Sequence, residues 1–142
     1  MTDYSDLIAR LEKADGASRQ VDVDVYERLR PASIEALRKM HDAGDVSGYW
    51  FWMSVSKYTE SLDAAIALTN KMLPGWTMAV DATVPGAGID YSLYSPTDPD
   101  GTQPTAKGGV RADSIGDVSA HARALLIATL SALQSLEQKE AA

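Results

Sequence analysis

The chain has 142 residues, no cysteine and a formal net charge of −7. This length fits one domain, residues 1–142, and the missing cysteines exclude disulfides, thiolate metal sites and a cysteine nucleophile. The acidic charge argues against nucleic-acid partners, because non-specific binding depends on lysine and arginine neutralising phosphates. No apolar run is long enough for a membrane span and no signal-peptide pattern opens the chain, so we expect a soluble cytoplasmic protein.

The first two predicted helices lie before Pro31. Apolar residues recur at helical spacing from Leu7 to Ala14, with Asp3 or Ser5 as the N-terminal cap. The segment that follows is ambiguous, since its three valines alternate as in a strand but also lie on one helical stripe. Ser18 as a cap and Pro31 beyond the end favour a helix.

A third helix is predicted to begin at the cap Ser33 and to end at Gly44. Ile34, Leu37 and Met40 are expected to face inward. Four consecutive aromatic residues follow: Tyr49, Trp50, Phe51 and Trp52. Large rings are usually packed, so one interpretation is a connection that covers the core. The other is a partner-binding surface, because an extended chain would present rings on both sides and tryptophan is enriched at binding hot spots.

The segment from Lys57 to Trp76 predicts a scaffold helix. Thr59 is the expected N-cap, and Pro74-Gly75 ends the helix. The inward stripe is predicted to contain Leu62, Ala65, Ile66, Thr69, Met72 and Leu73.

Two alternating segments then predict an antiparallel strand pair. In the first, the inward face is expected to carry Trp76, Met78, Val80, Ala82 and Val84. In the second it carries Ile89, Tyr91 and Leu93. Residues 96–109 predict a loop, with a short third strand near residues 110–112.

The last helix is expected over residues 117–137, with Leu126 and Leu130 in the core. The class is therefore α+β: a small antiparallel sheet of two or three strands packed against helices. Polar residues on the second strand face favour two layers over a three-layer sandwich.

The segments "DLIARLEKADGASRQVDVDV", "YTESLDAAIAL" followed by "PGW", and "HARALLIATLSAL" resemble the phage ABA (α-β-α) sandwich domain family of phage and prophage proteins. The resemblance covers most of the chain except residues 31–48, which look like a helical insertion. The resemblance implies a phage-encoded α/β domain, but it implies no known activity and identifies no catalytic residue.

Three groups of residues are candidates for a metal site, a carboxylate pair or an anion-binding site, and each also has a simpler structural interpretation. His41 and His121 are far apart, and a zinc site at His41 with Asp42 and Asp45 has little support, so we expect no metal and no cofactor. Asp81 and Asp90, on neighbouring strands, are candidates for a carboxylate pair or for two solvated side chains.

The segment "AKGGVR" is the third candidate. Lys107, Gly108, Gly109 and Arg111 could bind a phosphate or carboxylate, although a flexible turn is the simpler interpretation. The chain lacks both the phosphate-loop pattern and the Gly-x-Ser-x-Gly elbow.

The resemblance, together with these patterns, leads first to a phage accessory protein that binds a host or phage protein and is not expected to be an enzyme. Inhibition of a host defence component is one form that this role could take. The first alternative is a binder of a small anionic ligand or nucleotide. The second is a nucleic-acid-binding module, against which the charge argues. Self-association as a homodimer is left open.

Overall fold

The computed structural model describes residues 4–14, 16–29, 39–40, 42–44, 55–81, 88–97, 104–112 and 116–141. Within these ranges the helices are α1 (Ser5–Lys13), α2 (Arg19–Leu29), α3 (Leu62–Met72) and α4 (Val118–Ala141). The strands are β1 (Thr77–Asp81), β2 (Ile89–Tyr94) and β3 (Ala106–Val110). They form one antiparallel sheet in the order β1-β2-β3. The α+β class is confirmed, while the choice of two layers stays a prediction.

Helices α1 and α2 pack against each other, and the ambiguous second segment is helical. The Ser18 hydroxyl accepts the Val21 N–H at 3.3 Å, so the predicted cap is confirmed. The predicted Ser5 cap of α1 is wrong: Ser5 is the first helical residue, and Tyr4 occupies the cap position, where its side chain makes no capping hydrogen bond. Two exposed ion pairs join the helices, Arg10–Asp24 at 2.6 Å and Arg28–Asp6 at 2.8 Å.

Most of the predicted third helix, and of the predicted insertion at 31–48, lies outside the described residues. Lys39, Met40 and Asp42 are helical, and Gly44 has a φ of 83°, as a residue ending a helix does. Met40 is 47% exposed, so its predicted inward position is wrong.

Helix α3 is capped by Ser61 and not by Thr59 as predicted. The Ser61 hydroxyl accepts the Ala64 N–H at 3.2 Å. Its buried positions are Ala65, Leu68 and Thr69, whereas the predicted core residues Leu62 and Ile66 are only partly buried. The chain turns after the helix at Gly75, which has a φ of 84°.

The sheet departs from the predicted pattern at both edges. Strand β2 alternates as expected, with Ile89, Tyr91 and Leu93 buried. On β1, Val80 is 52% exposed, so its predicted inward position is wrong; α4 packs over β2 and β3. Strand β3 begins at Ala106, which corrects both the loop predicted to continue to residue 109 and the third strand placed at 110–112.

Helix α4 is the centre of the fold. It packs on β2, β3, α3 and α1, and its residues from 122 to 130 are all buried, including the predicted core residues Leu126 and Leu130. A helix that is apolar on all sides is typical of an element surrounded by others. Among the described helices, none has the length and apolar character required to cross a membrane.

Candidate functional site

A cleft of about 290 Å³ lies where the C-terminal end of α1, the end of β3 and the N-terminal end of α4 meet. The described residues that line it are Glu12, Lys13, Ala14, Arg111, Ala112, Asp117 and Arg123. Three of these side chains are cationic and two are acidic. The volume is at the lower end of the range for small-molecule sites.

Arg123 is the most unusual member of the cleft, because it carries a charge and is only 3% exposed. Its Nη1 donates to the carbonyl of Ala14 at 2.5 Å, and its Nε donates to the Ser119 hydroxyl at 3.3 Å. Both acceptors are neutral. Among the described residues no carboxylate lies within ion-pair distance of Arg123. A buried guanidinium without a counter-charge is costly, and an anion in the cleft would reduce that cost.

The other charges of the cleft are more accessible. Lys13 and Arg111 are exposed and add two cations to the one carried by Arg123. Glu12 is exposed as well, and Asp117 caps α4 by accepting the Ala120 N–H at 3.2 Å. The N-terminal end of a long helix also carries a partial positive charge. Among the described residues, the lining of the cleft thus has one more cation than carboxylates, although the chain is acidic.

The structure places only one of the four predicted ligand-binding residues of segment 107–111 in the lining of the cleft. Arg111 lines the cleft, whereas Lys107 is an exposed residue within β3 and does not. Gly108 is buried below α4, where an added Cβ would collide with backbone atoms of Ala124 and Ala128. Gly109 lies opposite Asp90 in the β2–β3 pairing. Ligand binding by Lys107, Gly108 and Gly109 stays a prediction, and the structure gives Gly108 a packing role.

Asp81 and Asp90 are direct partners in the β1–β2 register, as the carboxylate-pair hypothesis requires. Both are exposed. In the ranges that the structure describes, no group of three or more histidines and acidic residues is placed to hold a metal ion. The register therefore agrees with either interpretation of the two aspartates.

The remaining predicted site residues are the two histidines, the acidic residues beside His41 and the aromatic residues 49–52. The Nδ1 atom of His121 lies 2.8 Å from the hydroxyl of Tyr91, and the two rings meet edge to face. His41, Asp45 and the aromatic residues 49–52 lie outside the described residues. The partner-binding role of Tyr49, Trp50, Phe51 and Trp52 thus stays a prediction.

A polar network next to the cleft was not predicted. The Ser119 hydroxyl, which accepts from Arg123, donates to the Thr59 carbonyl at 2.8 Å. The Thr59 N–H and hydroxyl contact Asp22 Oδ1 at 2.7 and 2.8 Å. Asp22 in turn pairs with Arg19 at 2.9 Å. The network holds the N-terminal ends of α2 and α4 together, which fixes one wall of the cleft.

Sequence reasoning named Arg111 but missed Glu12, Lys13, Asp117 and Arg123. The available signal was Arg123, a single charge between Ala122 and the apolar run "ALLIATL" that follows it. Comparison of the chain with family models, with curated proteins and with solved structures gives no match.

Proposed function

We propose that the protein is a binding protein whose cleft recognises an anionic group. The observation that supports this most directly is Arg123, a buried cation with neutral hydrogen-bond partners that borders the cleft. A bound anion supplies the counter-charge that the described residues do not. The proposal favours the small-ligand alternative over the macromolecular one.

Carboxylate and phosphate fit this arrangement best. A planar guanidinium donates two parallel hydrogen bonds to either group, and arginine suits partly buried anion sites better than lysine does. Arg111 and Arg123 contribute two guanidinium groups, and the N-terminal end of α4 adds a favourable dipole. The neutral contacts to Ala14 and Ser119 orient Arg123 before the ligand arrives.

The wider biological role rests on the sequence resemblance alone. On that basis we propose a phage-encoded accessory protein that acts in the host cytoplasm. Contact with a host or phage protein through Tyr49–Trp52 is proposed from the run of four aromatic residues, since tryptophan is enriched at binding hot spots. The lean towards a non-enzymatic role rests on the missing cysteine and the missing nucleophile-elbow pattern.

The test is thermal unfolding with inorganic phosphate or acetate at constant ionic strength, kept by chloride. A ligand that binds the folded state stabilises it by about 2.7 kcal/mol at a concentration of 100 times its Kd. We expect at least one of the two anions to raise the Tm of the unmodified protein, and we expect Arg111→Ala to remove most of that shift. Arg111 is exposed, so this variant should fold.

Lys71→Ala is the matched control, because Lys71 is an exposed cation of α3 outside the cleft. It should keep the full shift. No shift with either anion would contradict the proposal. An equal loss in Arg111→Ala and Lys71→Ala would also contradict it, as would a loss in Lys107→Ala as large as that in Arg111→Ala.

A further inference from the structure

The charged side chains of the cleft do not pair with one another. Glu12, Lys13, Arg111, Asp117 and Arg123 all line one space of about 290 Å³. Within the described part of the chain, none of them forms an ion pair. Elsewhere opposite charges do meet, as in Arg10–Asp24 at 2.6 Å and Arg28–Asp6 at 2.8 Å. Cations and carboxylates thus border the same cleft while remaining apart.

The arrangement of unpaired cations and carboxylates indicates which charges a bound ligand should carry. A simple anion would satisfy the cations but would lie near the carboxylates of Glu12 and Asp117. An occupant with both charges would meet each group with its opposite, and hydrogen bonds to charged groups are among the stronger ones. One carboxylate oxygen of Asp117 is used by the cap of α4, which leaves the other for a ligand.

We infer that the ligand is a small zwitterion of the free α-amino-acid class. Its carboxylate would contact Arg111 and Arg123, and its ammonium group would contact Glu12 and Asp117. The size agrees, because a volume of about 290 Å³ corresponds to about ten water molecules, and many amino acids have a similar number of non-hydrogen atoms. This inference rests on the proposed anion-binding function and adds the cationic half of the ligand.

Isothermal titration with L-alanine and with propionate tests the inference, since the two compounds differ by the ammonium group. We expect the Kd for alanine to be about tenfold lower than the Kd for propionate, which is the effect of one charged hydrogen bond. In Glu12→Gln the advantage of alanine should shrink, while propionate should bind at least as well as before. Glu60→Gln, an exposed acidic residue outside the cleft, should leave both constants unchanged.

Propionate binding that equals or exceeds alanine binding would overturn the inference, and so would no binding of either compound. An unchanged advantage of alanine in Glu12→Gln would overturn it too. Phosphate or acetate stabilisation that depends on Arg111 would survive these outcomes, so failure of the zwitterion inference is distinguishable from failure of the anion-binding proposal.

Discussion

Thr59 is 1% exposed and joins two helices through its backbone and its hydroxyl. The hydroxyl accepts the Ser18 N–H at 2.8 Å and lies 2.8 Å from Asp22 Oδ1 and 3.1 Å from the Ser18 carbonyl. Its single proton is thus placed between two acceptors. The threonine expected at a helix cap is instead a buried junction, and the cap belongs to Ser61 two positions later.

Thr59→Val keeps the shape of the side chain and removes the hydroxyl. We expect a loss of about 1–3 kcal/mol in the free energy of unfolding, because the partly buried Ser18 N–H loses its acceptor and the buried Asp22 loses a donor. Ser61→Ala should cost about 1 kcal/mol, the usual effect of losing a cap. Urea unfolding of both variants compares them, and a larger loss in Ser61→Ala than in Thr59→Val would contradict these assignments.

Two buried tyrosines make the stability of the fold depend on pH. Burial raises the pKa of Tyr91 above its ordinary value, and burial is also the main reason that the pKa of Tyr58 is raised. Folding therefore favours the protonated phenols. Their stabilising effect is fully present below the unfolded-state pKa near 10 and is lost as the pH rises through the higher folded-state values.

We therefore expect the free energy of unfolding to fall above about pH 10. Tyr91→Phe removes one titrating group, so its stability should fall less steeply over the same range, although it starts lower because the bond to His121 is lost. Urea unfolding from pH 8 to pH 11 measures both slopes. Equal slopes for the two proteins would show that Tyr91 has no shifted pKa.

At the scale of elements, the sheet and the central helix meet at Gly108. The sequence correctly predicted the type of α1, α3, α4 and β2 because their apolar spacing distinguishes a helix from a strand, whereas α2 was predicted from its cap Ser18 and from Pro31. It placed the third strand too late, near residues 110–112, because the prolines and glycines of residues 96–109 predicted a loop. Gly108 instead makes room for the backbone of α4, and local pattern alone does not separate these two uses of glycine.

The glycine pair offers a matched experiment. Gly108→Ala should cost about 1–3 kcal/mol, because the new methyl group meets fixed backbone atoms of α4 and the helix has to shift. Gly109→Ala meets mainly the side chain of Asp90, which can rotate away, so its cost should stay near 0.5 kcal/mol or less, roughly that of a surface change. Thermal unfolding compares the variants, and equal costs would contradict the close contact between β3 and α4.

At the scale of the whole molecule, the cleft joins residues 12–14 to two segments near the other end of the chain, residues 111–112 and 117–123. No local pattern shows such a site, because each segment alone is an ordinary charged helix end or strand end. Composition was equally uninformative: the net charge of −7 describes the chain, while the described residues that line the cleft include more cations than carboxylates. Arg111 was predicted as a ligand-binding residue because of its neighbouring glycines. In the structure it lines the cleft with residues of α1 and α4 instead.

The central claim is that the buried guanidinium of Arg123 meets the ligand. The Nε–H resonance of Arg123 in a ¹H–¹⁵N spectrum, assigned with Arg123→Lys, reports changes around this guanidinium during titration with L-alanine, acetate or phosphate. We expect the resonance to shift until it saturates for a compound that binds, to lose most of this response in Arg111→Ala, and to move while the resonances of Arg10 and Arg28 stay in place. An Arg123 resonance that does not move at concentrations where binding is otherwise measured would contradict the account.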